Sequence, residues 1–121
     1  MRNYQKLDAW KASMQLAKAV NTCAKDFPKE ELFGLSSQIK RAAVSIPANI
    51  AEGMGRQYKK DTIQFLHIAR GSSYELETLF NVAVEINILP DQSFKQLMVL
   101  IDDSIKLLNG LINYLEKADL K

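Results

Sequence analysis

The stretch Gly34-Leu35-Ser36-Ser37-Gln38-Ile39-Lys40-Arg41-Ala42-Ala43-Val44-Ser45-Ile46-Pro47-Ala48-Asn49-Ile50-Ala51-Glu52-Gly53 decides how this chain is read. Leu35, Ile39, Ala42, Ile46 and Ile50 recur every three or four residues, the period of an α-helix with one apolar face. Gln38, Arg41, Ser45, Asn49 and Glu52 keep the same period and form a second, wholly polar stripe. Pro47 lies inside the run, lacks an N–H and crowds the carbonyl of Ala43, so a kink is expected there. Gly53-Met54-Gly55 then ends the segment, glycine being common at helix C-termini. A helix is expected to begin between Glu31 and Ser36 and to run to Glu52.

On either side the same period continues. From Lys6 to Asp26, Leu7, Trp10, Met14, Ala17, Val20, Ala24 and Phe27 step by three or four, widened by Ala9, Ala12, Leu16, Ala19 and Cys23. Lys11, Gln15, Lys18, Thr22 and Lys25 fall on the opposite side, and Pro28 stops the helix at Phe27. A third helix is expected from Lys60 to Asn87, with Phe65, Ala69, Ser72, Leu76, Leu79, Ala83 and Ile86 as its core stripe. Gly71-Ser72-Ser73 at its middle is a run of weak helix formers that lets a neighbouring helix come close. Pro90-Asp91 marks a turn, with Asp91 or Ser93 available as N-cap for a fourth helix from Gln92 to Ala118. That helix carries Phe94, Leu97, Ile101, Ile105, Leu108, Leu111 and Leu115, flanked by Met98, Leu100, Leu107, Ile112 and Tyr114. So wide an apolar arc suits either an oligomer interface or a central position in the monomer. No segment alternates with period two, and four helices joined by short connections predict an all-α, antiparallel up-and-down four-helix bundle.

A chain of 121 residues fits one domain, taken as 1–121, and is long enough to bury a core without a staple. Cys23 is the only cysteine, which excludes an intramolecular disulfide and suits a reducing compartment. No apolar signal core follows Met1-Arg2-Asn3, and no window approaches the roughly 18 apolar residues of a membrane span. A cytoplasmic location is the expectation, with no role at a membrane.

The formal net charge is only +2, but it is unevenly spread. Between positions 40 and 70, six bases (Lys40, Arg41, Arg56, Lys59, Lys60, Arg70) face two acids; from 71 to 119, three bases face eight acids. Complementary helices within one bundle explain this. An anion-binding face using Lys40, Arg56, Lys59 and Lys60 explains it as well.

Chemistry is harder to find. His67 and Cys23 are the only residues of their kinds, and no Glu-x-x-His pair offers a metal site. Cys23 shares its stripe with alanines and Leu16, which points to an inert thiol. Gly53-Met54-Gly55 lacks both the third glycine and the preceding strand of a dinucleotide loop. No catalytic residue, metal, cofactor or small-molecule substrate is expected. What stands out is the polar stripe Gln38, Arg41, Ser45, Asn49 and Glu52. Structurally, it would satisfy groups freed at Pro47 and pair Arg41 with Glu75 or Glu77 of the next helix. Functionally, it would be a recognition surface, with Arg41 and Arg56 holding phosphate or carboxylate. Both readings stay open on the sequence alone.

The run from Gly34 to Gly53 also resembles the signature of the bacterial four-helix-bundle family named for proteins encoded in 23S ribosomal RNA intervening sequences. Leu7, Trp10, Arg56, Ile68, Ala69, Gly71, Ser72, Glu75, Leu76 and Glu77 extend the resemblance over nearly the whole chain. It implies an up-and-down bundle that assembles as a ring-like homopentamer, with no assigned molecular function. A related branch, the accessory protein of diversity-generating retroelements, is strongly basic and associated with nucleic acid and a reverse transcriptase. The present chain departs from that branch in its small net charge and acidic second half. The expectation for this chain is a non-enzymatic homo-oligomeric scaffold or adaptor whose polar seam and basic turn contact a macromolecular partner, or alternatively an RNA- or DNA-binding protein whose basic patch of Lys40, Arg56, Lys59 and Lys60 repeats around the oligomer.

Overall fold

A computed structural model describes residues 1–31 and 34–118. Four α-helices account for most of them: α1 (Asp8–Ala24), α2 (Leu35–Met54), α3 (Lys59–Glu85) and α4 (Asp91–Lys117), with short 3-10 turns at Asn3–Lys6 and Lys29–Glu31. Helix α1 packs on α2, α2 on α3, α3 on α4 and α4 back on α1, while the diagonal pairs stay apart. The connections 55–58 and 86–90 span at most about 18 Å, too short to run back along helices of 30 Å or more, so α2, α3 and α4 alternate in direction. Cys23 and Asp26 at the end of α1 line one groove with Ser93 and Gln96 at the start of α4, which sets α1 antiparallel to α4. This is the expected up-and-down bundle.

Its core draws on every helix. Leu16 and Val20, Ile39, Ala43, Ile46 and Ile50, Leu66, Leu76 and Phe80, and Ile101, Leu108 and Ile112 are all essentially inaccessible to solvent. Burying a side chain of this size contributes about 1.5–3 kcal/mol, and these contacts hold the bundle together. Each helix also buries a small hydroxyl residue, at Ser13, Ser36, Ser73 and Ser104. Ser13 and Ser73 return their hydroxyl protons to the carbonyls of Trp10 and Ala69 on their own helices.

Several details differ from the expectation. The buried stripe of α3 is Thr62, Leu66, Ala69, Ser73, Leu76, Phe80 and Ala83, rotated so that Phe65, Ser72 and Leu79 flank the core and Ile86 is exposed. Alternating weak and strong apolar positions made two neighbouring stripes equally regular; the packing of Phe80 chose between them. Met14 likewise lies outside the core of α1, where Ser13 is buried instead. Pro47 lies inside α2, as expected, and is buried. Gly53 does not cap this helix but lies inside it, and Gly55 follows as C-cap with an ordinary negative φ. At the start of α4, Pro90 is the N-cap and Asp91 the first helical residue, placed to favour the positive end of the helix dipole without a side-chain cap. The left-handed Asn87 (φ 62°) ends α3, a conformation that asparagine tolerates better than most residues.

Candidate functional site

The polar stripe of α2 lies along its junction with α3. Asn49 Nδ2 donates to the backbone carbonyl of Ser45 (2.8 Å) and to its hydroxyl oxygen (2.9 Å), and the hydroxyls of Ser45 and Ser72 are 2.9 Å apart. Because Ser45 Oγ accepts from Asn49, its own proton is free for Ser72. The relay Asn49–Ser45–Ser72 therefore ties α2 to α3 with hydrogen bonds, each worth about 0.5–1.5 kcal/mol. The carbonyl that Pro47 deprives of its usual N–H belongs to Ala43, whereas Asn49 serves Ser45, so this relay does not repair the proline site.

Gln38, Arg41, Ser45, Ser72 and Glu75 surround a shallow groove of about 250 Å³ between the two helices. Arg41 is exposed and makes no ion pair, with Glu75 or with any other described residue. The expected pairing with Glu77 fails for a geometric reason. Two turns before Glu77, Arg70 donates to Asn109 Oδ1 of α4 (3.1 Å), so this side of α3 faces α4 and not α2. Arg41 is thus a solvated cation beside a polar groove, not a buried charge awaiting a partner.

At the other end of the stripe, α2 and α3 touch closely. A Cβ added at Gly53 would come within 2.8 Å of Phe65 Cβ and 3.1 Å of the Thr62 carbonyl oxygen. Only glycine lets the helices meet there. Arg56 then folds back over the Phe65 ring, 4.5 Å from its centroid, and pairs with Glu52 at 3.3 Å. Both charged groups remain about half-exposed, so the pair itself contributes little and the stack about 0.5–1 kcal/mol.

The four candidate anion contacts are not gathered into one patch. Lys40 lies on the flank of α2 that faces α1, about 24 Å along the chain axis from Arg56. Arg56 is engaged with Glu52 and Phe65, and Lys59 Nζ donates to the carbonyl of Ala118, closing the end of α4. Lys60 alone stands exposed without a described partner.

Cys23 is half-buried in a groove of about 590 Å³ between α1 and α4. Burial raises its pKa above the ordinary thiol value, Asp26 adds to the rise, and a hydrogen bond with Ser93 lowers it in part. A thiol so placed is a poor nucleophile at neutral pH. His67 is exposed, and no group of three or more His, Cys, Asp or Glu among the described residues is arranged to hold a metal ion. Among those residues no helix is long and apolar enough to cross a membrane.

The polar stripe thus combines a helix-joining relay with a closely packed turn. The family model described as 23S rRNA-intervening sequence protein matches residues 5–110. The chain belongs to that family. Its fold is similar to a crystal structure of a protein of unknown function from the S23 ribosomal protein family of Bacteroides thetaiotaomicron VPI-5482. The two share 25% identity and a TM-score of 0.81 over 87% of this chain and 95% of the other. No curated protein matches the chain. Family membership fixes the bundle, and leaves the molecular role to be argued from the surface.

Phe65 and Ser72 are the site residues that the sequence placed wrongly, by assigning them to the core stripe. The signal for Phe65 was Gly53, since glycine at a packed position marks a close approach.

Proposed function

We propose that the chain is the subunit of a cytoplasmic homo-oligomer that serves as a scaffold or adaptor for a macromolecular partner and carries out no covalent chemistry. The observation that carries this reading is the apolar surface left on α4: Val99, Leu107 and Tyr114 are 61%, 39% and 68% exposed. Leu107 also borders a second groove with α1, continuous with that around Cys23 through Gln15 and Leu100. Large apolar side chains left exposed on one helix suit a contact surface on a protein. The homopentamer implied by the family resemblance would use it.

Light scattering at micromolar concentration tests the assembly: a multiple of the 13.7 kDa chain mass supports it, and the monomer mass refutes it. Leu107→Asp and Tyr114→Asp are then expected to dissociate the assembly while leaving the helical circular dichroism intact.

A second reading, nucleic-acid binding, is favoured by the exposed and unpaired Arg41 and Lys60, which an oligomer would repeat. Gel-shift titration against structured RNA and duplex DNA at about 50 and 200 mM salt separates the two. Phosphate contacts require binding that weakens steeply with salt. Absence of binding at the lower salt removes this reading.

A further inference from the structure

The α1–α2 face is separate from the polar stripe of α2 and shares only Gln15 and Lys18 with the α1–α4 groove. Between the two helices runs a furrow of about 460 Å³, floored by Met14, Ala17, Val44 and Pro47. Met14 is 43% and Val44 51% exposed, large fractions for side chains in the middle of a bundle. The floor offers few polar groups: Pro47 has no N–H and Asn21 donates back to the carbonyl of Ala17, which leaves Gln15 and Lys18 as the polar side chains of the lining. Its edges, by contrast, are cationic. Lys11 and Lys18 of α1 and Lys25 at its C-cap recur every seven residues, all exposed, and Lys40 stands one turn before Val44 on the facing flank of α2. None of the four belongs to an ion pair with a described residue.

The carboxylates of α1 lie elsewhere. Asp26 borders the α1–α4 groove, and Asp8, five turns earlier, falls on the same side. Glu52 is held by Arg56, and Glu30 and Glu31 belong to the connection beyond Lys25. The face is therefore an apolar channel between cationic edges.

We propose that this furrow receives an acidic amphipathic helix of a partner protein. The proposal rests on the adaptor reading in taking the partner to be a protein. An apolar channel suits the apolar stripe of a helix, and lysines along the edge suit the carboxylates that flank such a stripe. The lysine row spans about 21 Å, four turns of the incoming helix. A nucleic-acid backbone would leave Met14, Val44 and Pro47 without apolar partners. A second copy docked on this face by two-fold symmetry would set the lysine row against itself, like charge on like. An anionic lipid surface needs protruding apolar side chains, whereas this channel is concave.

The test uses the full chain and a fluorescein-labelled synthetic helix of about 21 residues, with leucine on one face and glutamate on both flanks, alongside its lysine-for-glutamate counterpart. Anisotropy titration is expected to show binding of the acidic helix at least about tenfold tighter than the basic one. Val44→Glu and Lys18→Glu should each weaken it about tenfold or more, whereas Lys106→Glu on α4 should not. Chemical shifts should move along α1 and α2. Any of four results overturns the proposal: equal affinity for the two peptides, no effect of Val44→Glu in a variant that melts normally, shifts confined to other helices, or loss of self-association in Val44→Glu. The last would show that a second copy covers this face. Tighter binding of an RNA oligonucleotide or phosphatidylserine vesicles to this same face, abolished by Lys18→Glu, overturns it too. Failure of the peptide with the oligomer intact by light scattering removes this inference alone and leaves the assembly standing.

Discussion

Gly53→Ala adds one methyl group at a close contact between α2 and α3. The new carbon would sit 2.8 Å from Phe65 Cβ and 3.1 Å from the Thr62 carbonyl oxygen, both rigidly attached to the α3 backbone. Ordinary carbon–carbon contact is about 3.5–4.0 Å, so the helices must part by close to 1 Å. Overpacking of this order costs about 1–3 kcal/mol. Alanine recovers at most about 1 kcal/mol through its better helix propensity, and less so near a helix end. A net loss of about 1–2 kcal/mol follows, or about 4–8 °C in melting temperature for a chain of this size. Phe65→Ala in the same background is not expected to restore stability, because alanine keeps the offending Cβ. Urea denaturation followed by circular dichroism measures the effect, with Gly71→Ala and Gly110→Ala as controls. A Cβ at either control position meets nothing within 4 Å, so both should gain up to about 1 kcal/mol. If Gly53→Ala is as stable as the controls, the account of close approach at this turn is wrong.

Three further outcomes check the rest of the picture. A double-mutant cycle of Ser45→Ala and Ser72→Ala should return a coupling of about 0.5–1.5 kcal/mol by urea denaturation, and strict additivity would remove the relay as a link between α2 and α3. Arg41→Ala should shift stability by no more than about 0.5 kcal/mol, since the side chain is exposed and unpaired; a loss of several kcal/mol would mean it is buried against a carboxylate after all. Cys23 should react with iodoacetamide more slowly than a free thiol at pH 8, because its raised pKa leaves less thiolate. The sign for stability follows: the folded chain holds this proton more tightly than the unfolded chain. The contribution is full below the ordinary thiol pKa and is lost as pH rises through the raised one, so Cys23→Ser should flatten any alkaline loss of stability above about pH 9.

The sequence by itself determined the number of helices, their approximate ends and the presence of an apolar stripe on each. These are local quantities, set by the 3.6-residue period and by Pro28, Pro90 and the glycines after Glu52, and the bundle topology followed from short connections. It also singled out Gln38, Arg41, Ser45, Asn49 and Glu52, because a regular polar row on a helix is visible without coordinates. Which neighbour each residue meets was decided only in the tertiary structure. Phe65 against Leu66 and Leu79 against Phe80 are equivalent by period, and α3 took the stripe that lets Phe80 fill the core. Arg41 and Glu77 are separated by the rotation of α3 toward α4, and Lys59 is drawn to the end of α4. The lysine row of α1 is legible at once, yet it frames a furrow only when α2 brings Val44, Pro47 and Lys40 alongside it. A helix's own face is written in its period, whereas the meeting of two faces depends on register and rotation, which packing sets.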